Sequence, residues 1–367
     1  MKRVLVSGSD GFLGRNLIKT LEDNESISVI TWSRNTDSAE LLRSLENCDV
    51  VVHLAATNRS HDLSEFERTN VELTQYICEH LSSHNPVPIV FTSSTQVGLS
   101  NPYGRSKLAA ENIVLEYGQN TGQYVHVLRL PNVFGKWCKP HYNSVVATFC
   151  HQIARGEEIS ITDENAVIEL VHVDDVVNLI GELVISPENR WRNTFKNKYR
   201  TTLGQLAKNI KDFSIERKNN EIPEVGHGFL RALYSTYISY LPHEDFSYPL
   251  NPSVDQRGLF VEFLKTSNNG QISFLTAHSG VTRGSHYHHT KVEKFVVLSG
   301  RARFRFRHLV TTETVEIFSD FSELKVVESI PGWVHDITNV GDELLIVALW
   351  ANEVFDYKNP DTYAEMV

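Results

Sequence analysis

The sequence predicts two domains of different class: a doubly wound α/β domain over residues 1–245 and an all-β jelly-roll barrel over 246–367. Three observations carry this. Apolar runs alternate with helical stretches as far as residue 130, the pattern of a parallel sheet covered on both faces. Pro242, Pro249 and Pro252 then interrupt the chain where neither a helix nor a central strand tolerates them. Beyond them come only short β-branched and aromatic runs separated by turns, which suit a small antiparallel barrel. A chain of 367 residues also exceeds what one hydrophobic core ordinarily holds.

Residues 2–7 form an apolar run of the kind found in a buried parallel strand. The segment Gly8–Gly14 turns the chain, and a helix starts over Asn16–Leu21. Further strands are expected at Val29–Trp32, Val50–Ala55, Ile89–Ser93 and Val125–Leu130. From about 140 to 240 the pattern loosens into mixed helices and short strands, as in a segment that caps a sheet. The barrel strands are expected at Phe260–Leu264, Ile272–Ala277, Lys294–Leu298, Arg303–Phe306, Val315–Ile317, Leu324–Val327 and Leu344–Leu349.

A formal net charge of −10 disfavours a general nucleic-acid binder or a ligand of anionic membranes. No apolar stretch approaches a signal peptide or a membrane span. Cys48, Cys78, Cys138 and Cys150 form no C-x-x-C pair and read as reduced thiols, so a cytoplasmic protein is expected.

The spacing Gly8-x-x-Gly11-x-x-Gly14 follows a strand and opens a helix. Glycines there permit a tight turn and close approach of a pyrophosphate, and the helix N-terminus offers unpaired N–H groups. After the second strand an NAD site usually carries Asp or Glu for the ribose hydroxyls. This chain has Trp32, Ser33 and Arg34, and a serine with an arginine suits the 2′-phosphate of NADP.

With SGSDGFLG at 7–14, DVVVHLAA at 49–56, Asn70, Ser93–Ser94, YGRSK at 103–107, RLPNVFG at 129–135 and HVDD at 172–175, residues 1 to about 240 resemble the extended short-chain dehydrogenase/reductase family. The resemblance implies a Rossmann domain that binds NADPH/NADP. Its cofactor contacts are expected at Gly8, Gly11, Phe12, Leu13, Gly14, Ser33, Arg34, Asp49, Leu54, Ala55, Ala56, Tyr103 and Lys107. Tyr103 and Lys107 are four apart and so share a helix face. A neighbouring ammonium and an oxidised nicotinamide would favour the phenolate and lower the tyrosine from its usual value. Tyr103 could then exchange a proton with a sugar oxygen. By analogy Lys107 also bonds the nicotinamide ribose, Ser94 bonds the reacting oxygen, and Asn132 contacts substrate. Sugar dehydratases of the family carry Asp-Glu after the Ser/Thr position. Here Thr95 and Gln96 stand there, which disfavours elimination of water and leaves reduction or epimerisation at a keto carbon.

The stretch Gly280-x5-His286-x-His288-x4-Glu293-x6-Gly300 fits the first cupin motif, and Gly332-x-x-His335-x3-Asn339 fits the second. Alternation along a strand points His286 and His288 to one face. His286, His288, Glu293 and His335 are thus expected to hold a metal, and three imidazoles with a carboxylate suit Zn, Fe, Mn or Ni, of which Zn²⁺ is the expectation. DQRGLFVE at 255–262 and TRGSHYH at 282–288 also resemble the sugar-nucleotide 3,5-epimerase branch of cupins, where the histidine matching His286 is a base. His286 is therefore open as ligand or base, and Lys291, Lys294, Tyr287 and His289 are further candidates for the base.

Over its whole length the chain resembles the CapF-type enzymes of bacterial capsule and O-antigen synthesis. That resemblance implies a UDP-sugar substrate, C3 epimerisation of a UDP-2-acetamido-2,6-dideoxy-4-hexulose in the cupin domain, and C4 reduction in the other. It also implies a homodimer. Two other readings stay open: a single-step 4-ketoreductase with a structural cupin, and an NADP-binding regulatory module without chemistry.

Overall fold

A computed structural model describes residues 1–188, 195, 197–266 and 268–367. They divide into two compact units: Met1–Lys211 with Val225–Pro242, and Asp212–Glu224 with His243–Val367.

The first unit is built on five parallel strands: β1 (Lys2–Ser7), β2 (Ile27–Trp32), β3 (Val50–His53), β4 (Ile89–Ser94) and β5 (Val125–Leu130). Their order across the sheet is β2-β1-β3-β4-β5. Alternate side chains explain why the apolar runs are continuous. Val4 and Val6 pack with Leu17, Leu21, Val176 and Ile180 on one face, while Leu5 packs with Leu41, Ile77 and Leu81 on the other. The strand order reverses between β1 and β3, which opens a crevice at their C-terminal ends. Helix Phe12–Glu22 follows β1, and helix Pro102–Thr121 follows β4. Asn101 caps the latter by accepting from the Gly104 N–H at 2.6 Å, Pro102 starts it, and Gly122 ends it in the left-handed conformation. The looser stretch contributes a small sheet, Asn132–Phe134, Val167–His172 and Lys198–Thr202, with helices Val145–Ala154, Val173–Ile185 and Gly228–Ile238.

The second unit consists of two antiparallel sheets. One runs Ser253–Asp255, Gly258–Thr266, Gly270–Ala277, Leu345–Ala351, Glu293–Ser299 and Val327–Glu328. The other runs Thr314–Asp320, Arg301–His308, Trp333–Asn339, Thr282–Tyr287 and Tyr363–Ala364. Phe295, Val297, Val347 and Leu349 of the first meet Phe304, Phe306 and Ile337 of the second in one core. The predicted fold class, a doubly wound α/β domain and a jelly-roll β domain, is the one observed.

Three details differ from expectation. Trp333–Asn339 is a full strand, although it was not among the expected strands and showed in the sequence only as the second cupin motif. The strand expected over Leu324–Val327 shrinks to Val327–Glu328, with Leu324 and Val326 exposed. Asp212–Glu224 groups with the barrel, where Glu221–Ile222 pairs in parallel with Lys265 and Thr266. The segment has a helical sequence, and nothing in it announces a distant sheet partner.

Candidate active site and metal centre

A cavity of about 580 Å³ opens at the sheet crevice of the first unit. Gly8 turns there with φ +75°, and a Cβ on it would lie 2.7 Å from the Ala55 nitrogen. A Cβ on Gly14 would lie 2.3 Å from the Gly8 carbonyl oxygen, so both positions admit only glycine. Helix Phe12–Glu22 starts at Gly11 without a side-chain cap. Its first N–H groups therefore lie open at the cavity wall, which Gly11, Phe12, Leu13 and Gly14 form with Gly8. Arg34, Leu54 and Ala56 line the same cavity.

Three residues expected at the cofactor are not on that wall. Ser33 is buried, its N–H donates to Thr36 Oγ1 at 3.2 Å, and its Oγ accepts from the Asn35 N–H at 3.4 Å; it shapes the turn that presents Arg34. Ala55 supports Gly8 from behind, with its N–H directed to Ser7 Oγ at 3.3 Å. Asp49 lies at the opposite end of β3, roughly 13 Å of strand from the crevice. Its carboxylate accepts from the Arg3 N–H at 2.7 Å and pairs with the Arg3 guanidinium at 3.1 Å. The motif that begins with Asp49 reaches the cofactor side only at its far end.

Ser94, Tyr103, Lys107 and Asn132 all line the cavity. Tyr103 shares the cavity wall with Ser94, whose Oγ accepts from the Gln96 N–H at 3.1 Å. Lys107 is 2 % exposed, with its ammonium 4.3 Å from the centroid of the Phe91 ring. Burial lowers Lys107 to about 7, opposed by the Glu111 carboxylate one turn along the helix. Burial also pushes the Tyr103 phenol up, opposed by the nearby Ser94 hydroxyl. Lowering of the phenol, the expectation for the complex with an oxidised nicotinamide, is thus not a property of the free pocket. Asn132 donates to the Glu169 carbonyl at 3.1 Å.

Several supporting groups carried no role in the sequence reading. Asn70 sits in a short π-helical stretch, Glu67–Glu72; its Oδ1 accepts from the Thr57 N–H at 2.8 Å and its amide donates to Ser106 Oγ at 3.0 Å. It ties the loop after β3 to the helix of Tyr103. Buried His53 bridges Ser7 Oγ at 2.6 Å and Thr74 Oγ1 at 3.0 Å. Glu111 forms a bidentate pair with Arg129, with contacts of 3.0 and 2.7 Å. The spacing Tyr103, Lys107, Glu111 marks one helix face and was the available signal for Glu111.

In the barrel unit, His286, His288, Glu293 and His335 bring one donor atom each within 4.8 Å of one another. His286 and His335 are cross-strand partners in one sheet, and Glu293 comes from the other. The helping feature is a bulge: Ser285 has φ +61°, which shifts the strand so that His286 meets His335. His288 lies just past the strand end, so a two-residue alternation does not by itself account for its position. Glu293 Oε2 is 3.2 Å from His288 Nε2 and 3.4 Å from His335 Nε2, and Lys291 Nζ is 3.0 Å from Oε1. Burial works to raise the Glu293 carboxyl, but the His288 and His335 rings and the Lys291 charge hold it well below the usual range. Among the described residues, neither ring nitrogen of His335, a residue 3 % exposed, has a well-aligned hydrogen-bond partner. Orphaned buried imidazole nitrogens beside a carboxylate and two more imidazoles fit a divalent ion. Asn339 is not among the converging donors. Its amide donates to the Ala277 and Glu343 carbonyls at 2.9 and 2.8 Å, closing the turn after the strand. Lys294 is exposed and pairs with Glu328, while Tyr287 stacks on Tyr363 and His289 meets the same ring edge-on.

The glycine loop at the switch point, joined in one cavity to a Ser, Tyr and Lys set, defines a dinucleotide-fold domain with a proton-transfer set beside its glycine loop. The chain belongs to the NAD dependent epimerase/dehydratase family, whose model matches residues 4–192. Residues 253–363 match the polysaccharide biosynthesis C-terminal domain. The chain is 46% identical over 364 residues to the UDP-2-acetamido-2,6-beta-L-arabino-hexul-4-ose reductase of Pseudomonas aeruginosa, covering 99% of this chain and 98% of that one. It superposes on the capsular polysaccharide assembling protein CapF from Staphylococcus aureus with a TM-score of 0.94 at 40% identity, over 99% of this chain and 100% of that one. A second CapF structure, with the inhibitor 3-isopropenyl-tropolone, gives 0.88 at 36% identity over 100% of both chains. The resemblance to CapF-type enzymes is borne out. Among the described residues no helix is long and apolar enough to cross a membrane.

Proposed function

We propose that this chain is a bifunctional nucleotide-sugar enzyme of capsular polysaccharide synthesis. It epimerises a UDP-2-acetamido-2,6-dideoxy-4-hexulose at C3 in the barrel, 246–367, then reduces the C4 ketone in the first domain, 1–245. The product is UDP-N-acetyl-6-deoxy-L-talosamine, a precursor of UDP-N-acetyl-L-fucosamine. The observation that carries the reductive half is the convergence of Ser94, Tyr103 and Lys107 on the cavity shared with the glycine loop. The near-full-length relative is itself named as a reductase of an L-arabino 4-ketosugar, which supports the same substrate class here.

NADPH would supply a hydride to C4. Arg34 on the cavity wall supports NADP over NAD, by pairing with a 2′-phosphate. Tyr103 gives its proton to the C4 oxygen, Ser94 orients that oxygen, and the Lys107 ammonium stabilises the phenolate left behind. Asn132 contacts the sugar. Thr95 and Gln96 supply no carboxylic acid or carboxylate, consistent with reduction without dehydration.

In the barrel, His286, His288, Glu293 and His335 would hold Zn²⁺. The ion would supply Lewis acidity to the oxygen of a developing enolate. The C3 proton is acidic only while the C4 ketone persists, so epimerisation precedes reduction and reduction fixes the new configuration. A cytoplasmic homodimer completes the proposal. The test is NMR of the UDP-4-keto-6-deoxy sugar with the protein in D₂O without NADPH. Deuterium at C3 is expected; no exchange by a folded, zinc-loaded protein would leave a single-step 4-ketoreductase with a structural barrel.

A further inference from the structure

We infer that Asp361, in the C-terminal tail, is a positioning residue for the metal centre: its carboxylate and carbonyl together fix the ligand loop between His288 and Glu293. The inference rests on the metal reading proposed above.

Two separate parts of Asp361 act on the loop. Its carboxylate accepts from three consecutive backbone N–H groups, His289 at 2.9 Å, Thr290 at 2.7 Å and Lys291 at 2.9 Å, and from the Thr290 hydroxyl at 3.0 Å. Desolvation opposes the charge, but these bonds outweigh it and hold the carboxyl far below the usual range, so the anion is present throughout neutral pH. Its carbonyl oxygen lies 2.5 Å from His288 Nδ1. A carbonyl only accepts, so Nδ1 carries a proton, and Nε2, 3.2 Å from Glu293 Oε2, is the ring nitrogen turned toward the other three donors and the one that would bind an ion. Outer bonds of this kind orient imidazole ligands and fix their tautomer. A residue that merely closed a turn would have no reason to bond a ligand ring as well.

The tail is itself held in place. Tyr363 and Ala364 pair with Tyr287 and His286, and the Tyr363 and Tyr287 rings stack at 5.2 Å. The Glu365 N–H donates to the Ser285 carbonyl at 3.1 Å, and Arg307 donates to the Met366 carbonyl at 2.7 Å. The tail thus runs beside the strand that supplies His286 and crosses the loop that supplies His288.

The test is zinc affinity by chelator competition on the full chain, with bound metal counted by mass spectrometry and folding followed by circular dichroism. Asp361→Asn keeps the carbonyl but loses the anion, and removal of residues 361–367 loses both. Zinc binding about 10- to 100-fold weaker is expected for D361N, and a larger loss for the truncation. Asp356→Asn, in a tail turn that bonds Lys358 and Asn359, should leave affinity unchanged. Folded D361N with wild-type affinity would overturn the inference while leaving the metal reading intact. A wild-type protein that takes up no zinc would instead remove the metal reading itself. If D361N does not fold, Tyr363→Ala, which loosens the tail without touching a loop bond, takes its place, with weakened binding expected and unchanged binding decisive against.

Discussion

His286 and His335 face each other as cross-strand partners, with ring centroids 4.7 Å apart and planes 78° to one another. In a barrel core that pairing leaves imidazole nitrogens without partners, a cost unless something occupies the space between them. Zinc should therefore stabilise the barrel. At free zinc near 1,000 times the dissociation constant the gain is about 4 kcal/mol. Calorimetry with and without a chelator checks this; an unchanged barrel transition would count against a bound ion.

Tyr103→Phe should lower NADPH-dependent ketone reduction by about 10²- to 10⁴-fold, because the proton donor is lost. NADPH binding, read by fluorescence, should persist. Deuterium exchange at C3 should also persist, since it needs none of the residues in that cavity.

Lys107 gives the pH prediction. Its folded value is about 7, lowered by burial from an ordinary 10.5. Between these values the unfolded chain binds more protons, so this group makes stability rise with pH, by about 1.4 kcal/mol per unit at most. Below pH 7 both states are charged and the penalty is constant. Denaturation of the cofactor-free protein against Lys107→Met isolates the effect. The stability difference should change between pH 7 and 10 in favour of the wild type, and parallel curves would contradict the buried ammonium.

The Glu111–Arg129 pair is asymmetric: Glu111 is 1 % exposed, whereas the Arg129 side chain is 44% exposed. Losing Arg129 leaves a buried carboxylate, while losing Glu111 leaves a guanidinium that reaches water. Arg129→Met should cost about 3 kcal/mol and Glu111→Gln less, roughly 1–2 kcal/mol, in urea titrations. The reverse ranking would mean that the carboxylate finds another partner.

What the sequence made legible follows from spacing. The glycine loop and the Tyr103–Lys107 helix face each place their groups within one local element, so periodicity alone brings them together, whereas the His286–Glu293 run was legible only as a motif, since its members lie on two sheets and the loop between them. Asp49 misled because a contiguous motif spans a whole strand, and its two ends point to opposite edges of the sheet. The strand Trp333–Asn339 shows its motif in the sequence but not its pairing. Asp361 was invisible for a different reason: it meets His288 across 73 residues, and its carboxylate's partners are mostly backbone N–H groups, which leave no mark on residue identity. The Ser285 bulge was equally silent, since serine has no special preference for positive φ.

That long separation also has a timetable. At ordinary rates of synthesis the ribosome adds Asp361 roughly 4–15 s after His288. Until then the His289, Thr290 and Lys291 amides have no carboxylate to bind and the His288 ring is free to turn. The last of the four proposed donors, His335, precedes Asp361 by 26 residues, so the nascent barrel holds the whole set for roughly 1–5 s before the His288 ring is aimed.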